Sequence, residues 1–178
     1  VDVVEQLNSF NKSGDSLVSW NWLAGTTGSG TTTGSGTGKA YSYSVSTTAG
    51  FSIVKYLGNG TSGHTIPHHL SAVPQMMIVK SRDRGTNWMM YHKVNGNTIY
   101  LRLNTTAANN AATAVWNDTT PTSSVFTVGS DGDVNNNDEN YIAYCFAEKQ
   151  GYSKFGSYTG NGNANGTFVY TGFKPAFT

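Results

Sequence analysis

One cysteine, four prolines and a charged fraction of only 12% define this sequence by what it leaves out. A lone Cys145 excludes any disulfide within one chain, so apolar packing must hold the fold together. It lies in an apolar strand pattern and reads as a buried, inert thiol. Eleven basic residues against ten acidic ones leave no basic stripe, which argues against a nucleic-acid partner. No apolar run approaches the roughly 18 residues of a membrane span, and no signal-peptide pattern opens the chain. Membrane insertion is therefore not expected. The first residue, Val1, points to a processed product or a fragment. Abundant Gly, Thr, Ser and Asn give a neutral, hydroxyl- and amide-rich exterior, common on extracellular and virion-surface β proteins. A plain soluble β domain has the same composition.

Long helical periodicity is also scarce. Val3, Val4, Leu7 and Phe10 allow one short N-terminal helix within residues 1–14, and the alanines between Thr105 and Trp116 allow a second short helix or a loop. Elsewhere the pattern alternates. Strands are expected over 17–23, 41–45, 51–56, 75–80, 88–92, 98–103, 124–128 and 141–146, most of them separated by Gly, Asn, Asp or Pro. Asn95-Gly96 between two such runs predicts a hairpin, because both turn positions tolerate positive φ. Residues 25–38 are almost only Gly, Thr and Ser, which reads as a flexible link or long loop. The expected class is all-β, an antiparallel β-sandwich of jelly-roll or concanavalin-like type, with a closed barrel as the nearest competitor.

The chain also nearly repeats itself. Gly50-Phe51-Ser52-Ile53-Val54-Lys55-Tyr56-Leu57-Gly58-Asn59-Gly60 is echoed by Gly151-Tyr152-Ser153-Lys154-Phe155-Gly156-Ser157-Tyr158-Thr159-Gly160-Asn161-Gly162. Residues 17–24 likewise echo 141–148, and Pro74 and Pro175 each precede an apolar strand start. Self-similarity at a domain-sized period suggests units strung in series. The expected frame is an N-terminal attachment segment at 1–16, then the closing strand of a preceding unit with the Gly/Thr/Ser loop and a strand at 17–49. A complete unit follows at 50–148, and opening strands of another at 149–178. Unmatched strands have apolar faces that must be buried, in this domain or by another copy.

The strings GFSIVKYLGNG (50–60), IVKSRDRGTNWMMYHK (78–93), WNDTTPTSSVFTVGSDGDVNNN (116–137) and YIAYCFAEKQGYSKFGSYTGNG (141–162) carry a resemblance. From about Leu17 onward the chain resembles a repeated domain of large phage proteins, common in marine and cyanobacterial viruses. The resemblance implies a concanavalin- or laminin-G-like sandwich within a tail-fibre or virion-surface protein, and brings no catalytic motif with it. The Gly/Thr/Ser stretch is unusually low in complexity for such a domain, and residues 1–14 have no counterpart.

Candidate sites are few. Residues 131–139 pack four carboxylates and three amides into nine positions, and Asp131, Asp133 and Asn135 begin like a calcium loop. The pattern then fails, with Asn136 where Gly is needed and Ile142 where Glu is needed. A solvated turn is the simpler account. His64, His68, His69 and His92 invite a zinc reading, but Pro67 breaks the helix that would align a pair. Trp88, Tyr91, His92 and Trp116 offer rings for stacking on sugar or a partner, against the competing reading that they are core. A carboxylate pair for glycoside cleavage would come from Asp83, Asp118, Glu139 or Glu148, none placed by pattern in a cleft.

The sequence therefore predicts a non-enzymatic virion module, extracellular, with no cofactor unless calcium binds. Its expected partners are further copies or neighbouring units of the same protein, other virion proteins and host-surface glycan. A stand-alone lectin-like module is the first alternative, and a polysaccharide-degrading enzyme the second.

Overall fold

The computed structural model describes Gly14, Ser16 and residues 21–175. The expected N-terminal helix, apart from Gly14, and residues 17–20 of the first expected strand lie outside the described residues. The strands are β1 (Thr26–Thr31), β2 (Thr33–Gly34), β3 (Ala40–Ser46), β4 (Phe51–Leu57), β5 (His64–Pro67), β6 (Met76–Ser81), β7 (Met89–His92), β8 (Ile99–Arg102), β9 (Asn110–Ala111), β10 (Val125–Val128) and β11 (Asn140–Phe146). Two single helical turns, α1 (Thr113–Trp116) and α2 (Gly132–Asn135), interrupt them. The large sheet runs β1-β3-β4-β11-β6-β7-β8-β9, and a small sheet runs β10-β5-β2. Every pairing is antiparallel.

The period-2 alternation decides which residues face inward. Val54 and Tyr56 of β4, Tyr141, Ala143 and Cys145 of β11, Met77 and Val79 of β6, and Met89 and Tyr91 of β7 are all buried. Ile66 of β5 and Phe126 and Val128 of β10 meet them from the small sheet in one core, with the Phe126 ring edge-on to Tyr56 at 6.2 Å. This is the expected β-sandwich. Burial also pushes the Cys145 thiol well above its usual range, as an inert core cysteine requires.

The Gly/Thr/Ser stretch differs from the loop expected of it. Residues 26–31 pair along β3 as the edge strand of the large sheet. The reason lies across the ladder, where Gly28 faces Tyr43 and Gly30 faces Tyr41. A Cβ at Gly28 would come within 2.6 Å of the Tyr43 hydroxyl, and one at Gly30 within 2.9 Å of the Tyr41 ring. The tyrosines lie flat over a strand whose alternate residues have no side chain, so β3 supplies the apolar surface that β1 lacks.

The frame expected at 50–148 meets the sheet differently at its two ends. Residue 50 falls between β3 and β4, which are neighbours in one sheet. Beyond residue 148 the ladder ends, leaving one bridge between Lys149 and Ser153 and no named strand in 154–175.

Candidate functional site

The four aromatic and histidine candidates do not converge. Tyr91 and Trp116 are core residues, 4% and 1% exposed, with their rings edge-on at 6.1 Å. Neither can stack on a sugar, because alternation turns Tyr91 inward and α1 buries Trp116 against it. Trp88 is 39% exposed just before β7, and His92 stands half-buried on the outer face, its Nδ1 accepting the Val94 N–H at 3.3 Å.

The acidic loop is a clasp, in which each of the three calcium candidates holds a partner within the fold. The Asp131 carboxylate caps α2 by accepting the Asp133 N–H at 2.8 Å, and the Asp133 carboxylate accepts from Asn87 at 3.1 Å. Asn135 is fully buried. Its Oδ1 accepts the Asn59 N–H at 2.9 Å and faces His64 Nδ1 at 3.0 Å, while its amide donates to Gly129 O at 2.7 Å and Thr61 O at 3.0 Å. Those bonds occupy the oxygen a cation would need. Tyr56 donates to Val134 O at 2.6 Å, and Tyr141 donates to Gly132 O at 2.7 Å.

Thr32, His64 and Asn135 form a hydroxyl–imidazole–amide chain, with Thr32 Oγ1 2.6 Å from His64 Nε2. In an open cleft that order would suggest a nucleophile, its base and an orienting group. Here Thr32 is 3% exposed and its oxygen already accepts the Lys39 N–H at 2.8 Å. The assignment closes on one tautomer: Thr32 donates to Nε2, and Nδ1–H donates to Asn135. Burial holds the His64 pKa below its usual range, the Asn135 bond partly offsetting it. His68 is likewise neutral, its pKa lowered to about 4 chiefly by burial. Its Nε2–H donates to Thr122 O at 3.1 Å and its Nδ1 accepts the Leu70 N–H at 3.2 Å.

The carboxylates are dispersed among separate partners. Asp83 accepts twice from Asn140, which lowers its pKa; Asp118 accepts from Thr113; Glu148 pairs with Lys93 at 3.1 Å. Burial raises the Glu139 pKa, but its bonds from Arg84, Asn136 and Tyr141 outweigh that and hold it below the usual range. Among the described residues, no three His, Cys, Asp or Glu side chains gather as a metal set. No helix among them is long and apolar enough to cross a membrane.

Two surfaces remain. A recess of about 510 Å³ is lined by Pro67, His69, Ser71, Ser123, Ser124 and Val125. His69 and Ser71 both have positive φ, 59° and 56°, a conformation costly outside glycine. The His69 ring stacks on Tyr43 at 3.7 Å, and its Nε2 lies 3.0 Å from the Tyr41 hydroxyl. The second surface is larger and apolar. Phe51 and Phe146 lie in register on the outer face of the large sheet, with rings 4.9 Å apart, and Met76 is next in the row. Trp22 packs on both rings, at 5.9 and 5.6 Å, and Phe155 approaches Phe146 at 6.4 Å. Together with Tyr152, Tyr158, Phe168, Tyr170 and Phe173 they bound an open cavity of about 1380 Å³. Much of this surface is wet, including Trp22 (48% exposed), Tyr158 (70%) and Phe168 (86%). Repetition was the sequence signal for it, since Trp22 and Phe146 hold matching places in the 17–24 and 141–148 echo.

Residues 2–178 match the model of a family described as a domain of unknown function, DUF7483. The chain belongs to that family. No curated protein and no solved structure matches it.

Proposed function

We propose that the chain is a structural module of a phage virion, a non-catalytic β-sandwich unit of a fibre or surface appendage. It associates with further copies or neighbouring units of the same protein and with other virion proteins, outside the cell. It presents a face to host-surface glycan. The observation that carries this reading is the apolar junction around Trp22, Phe51 and Phe146. Monomeric soluble domains rarely leave contiguous apolar patches larger than a few hundred Å² wet, and such patches mark association surfaces. The resemblance of the sequence blocks to repeated phage domains supports the setting, and the dispersed carboxylates favour binding over hydrolysis.

Sedimentation across a wide concentration range tests the association. Defined oligomers are expected, and a monomer at every concentration contradicts the reading. A lectin-like module acting without assembly is the second reading, favoured by the hydroxyl-lined recess beside His69. Glycan-array binding by a monomer, lost on Ser123→Ala and Ser124→Ala, would select it. With Asn135 engaged in the core, a calcium chelator should leave either form of binding unchanged.

A further inference from the structure

Asparagine followed by glycine is a pair in which the peptide nitrogen can attack the preceding side chain. The glycine has no Cβ to block approach of its nitrogen to the asparagine Cγ. The chain has four such pairs, Asn59-Gly60, Asn95-Gly96, Asn161-Gly162 and Asn165-Gly166. Their hydrogen bonds differ, and the differences rank them.

Asn59-Gly60 is locked at both reacting groups. The Gly60 N–H donates to Asn135 O at 2.8 Å, and the Asn59 amide donates to Ser35 O and Thr37 O. At Asn95-Gly96 the Gly96 N–H donates to His92 O at 3.2 Å. Asn161-Gly162 repeats the turn of the first pair. Gly60 and Gly162 have φ of 70° and 66°. Asn59 Oδ1 accepts the Thr61 N–H at 2.9 Å, and Asn161 Oδ1 accepts the Asn163 N–H at 3.0 Å. The Asn161 amide is held by Asn165 O at 2.9 Å, but the Gly162 N–H has no acceptor among the described residues. Asn165-Gly166 is the freest pair. Both residues are exposed, and neither the Asn165 side chain nor the Gly166 N–H makes a hydrogen bond among the described residues.

We propose that Asn165 is a site of spontaneous deamidation, followed by Asn161, and that the product weakens association. The Gly166 nitrogen loses its proton and its electron pair forms a bond to Asn165 Cγ. The Cγ–Nδ2 bond breaks, and ammonia leaves with that proton as a cyclic imide closes. Water then adds across either carbonyl–nitrogen bond of the imide, leaving aspartate or isoaspartate. Residues 151–175 carry Lys154 and Lys174 and no carboxylate, so each conversion puts a negative charge where the tail has none. Asn165 lies shortly before Phe168, which is 86% exposed and bounds the apolar cavity. A carboxylate there must stay hydrated, which opposes covering that surface. The effect on association rests on the self-assembly reading above; the modification itself does not.

The test incubates the full chain in mildly alkaline buffer and maps its peptides by mass spectrometry over time. Asn165 should show the mass gain of an amide-to-acid conversion first, Asn161 and Asn95 more slowly, and Asn59 last. In urea the four rates should converge, because the bonds that separate them are gone. Asn59 or Asn95 converting as fast as Asn165 in the folded chain overturns the assignment, as does an Asn165 that reacts only after unfolding. Sedimentation then compares Asn165→Asp with Asn165→Gln. The aspartate should weaken association about tenfold, and the glutamine should leave it unchanged. Equal association by the two variants overturns the effect on assembly and leaves the modification site standing. A parent chain that stays monomeric at every concentration overturns the self-assembly reading and that effect with it, while the mass map still decides the modification.

Discussion

Residues 50–60 and 151–162 place similarly punctuated sequences in two environments. In the first, Phe51 is 3% exposed, Val54 and Tyr56 are buried, and Asn59 reaches Ser35 O and Thr37 O with its amide at 2.9 and 3.1 Å. In the second, Tyr152 is 62% exposed, and Asn161 bonds only to Asn163 and Asn165 within its own turn. Local chemistry fixes the turns in both, as the matching glycine angles show. Ladder partners and a covering sheet decide whether the residues between those turns become a strand. The shared residues are chiefly the flanking glycines, serine and asparagine; between them Ile53-Val54-Lys55 gives way to Lys154-Phe155-Gly156, so composition and tertiary context both separate the two.

Paired substitutions sharpen that contrast. Phe51→Ala removes a ring packed against Trp22 and Phe146 and should cost about 3–5 kcal/mol. Tyr152→Ala should stay within about 0.5 kcal/mol in the dilute chain. Urea unfolding midpoints compare the two, and equal losses would break the contrast.

Acidification should loosen the body and spare the tail, whose residues 151–175 contain no histidine. The unfolded chain binds a proton on His68 near pH 6.5, and the folded chain only near pH 4. Stability from this residue is therefore full above about pH 6.5 and falls as the pH drops towards 4. The full loss is on the order of 3 kcal/mol. His64, also depressed, adds a loss of the same sign. His68→Gln should flatten the slope in unfolding midpoint against pH between about 6.5 and 4.

A smaller difference is expected at the asparagines. Asn59→Ala leaves Ser35 O and Thr37 O without their donor and should cost about 2 kcal/mol. Asn161→Ala should be nearly neutral, again by urea midpoint.

Much of the sheet was legible because alternation is strong where one face is buried. Residues 51–56, 75–80 and 141–146 were expected as strands, and β4, β6 and β11 occupy those places within one or two residues. The Asn95-Gly96 signal likewise lies between β7 and β8, which pair antiparallel, with Gly96 at φ 77°. β1 was illegible, since its strand character comes from the Tyr41 and Tyr43 rings across the ladder. β5 was missed because His64 and Pro67 are weak strand formers, and its place is set by β10 and β2 on either side. The candidate site was legible only as repetition. Asp131, Asp133, Tyr91 and Trp116 were marked by residue type, which says nothing of whether a side chain caps a turn, fills the core or meets solvent. Trp22 and Tyr152 stood out only through the echo.

Hydrogen–deuterium exchange at low and high protein concentration tests the central claim most directly. Amides of 52–57 should be protected at both. Amides of 154–158 should exchange freely in the dilute chain and become protected as copies associate. Protection of 154–158 in the dilute monomer, or continued free exchange in the associated form, would contradict the account.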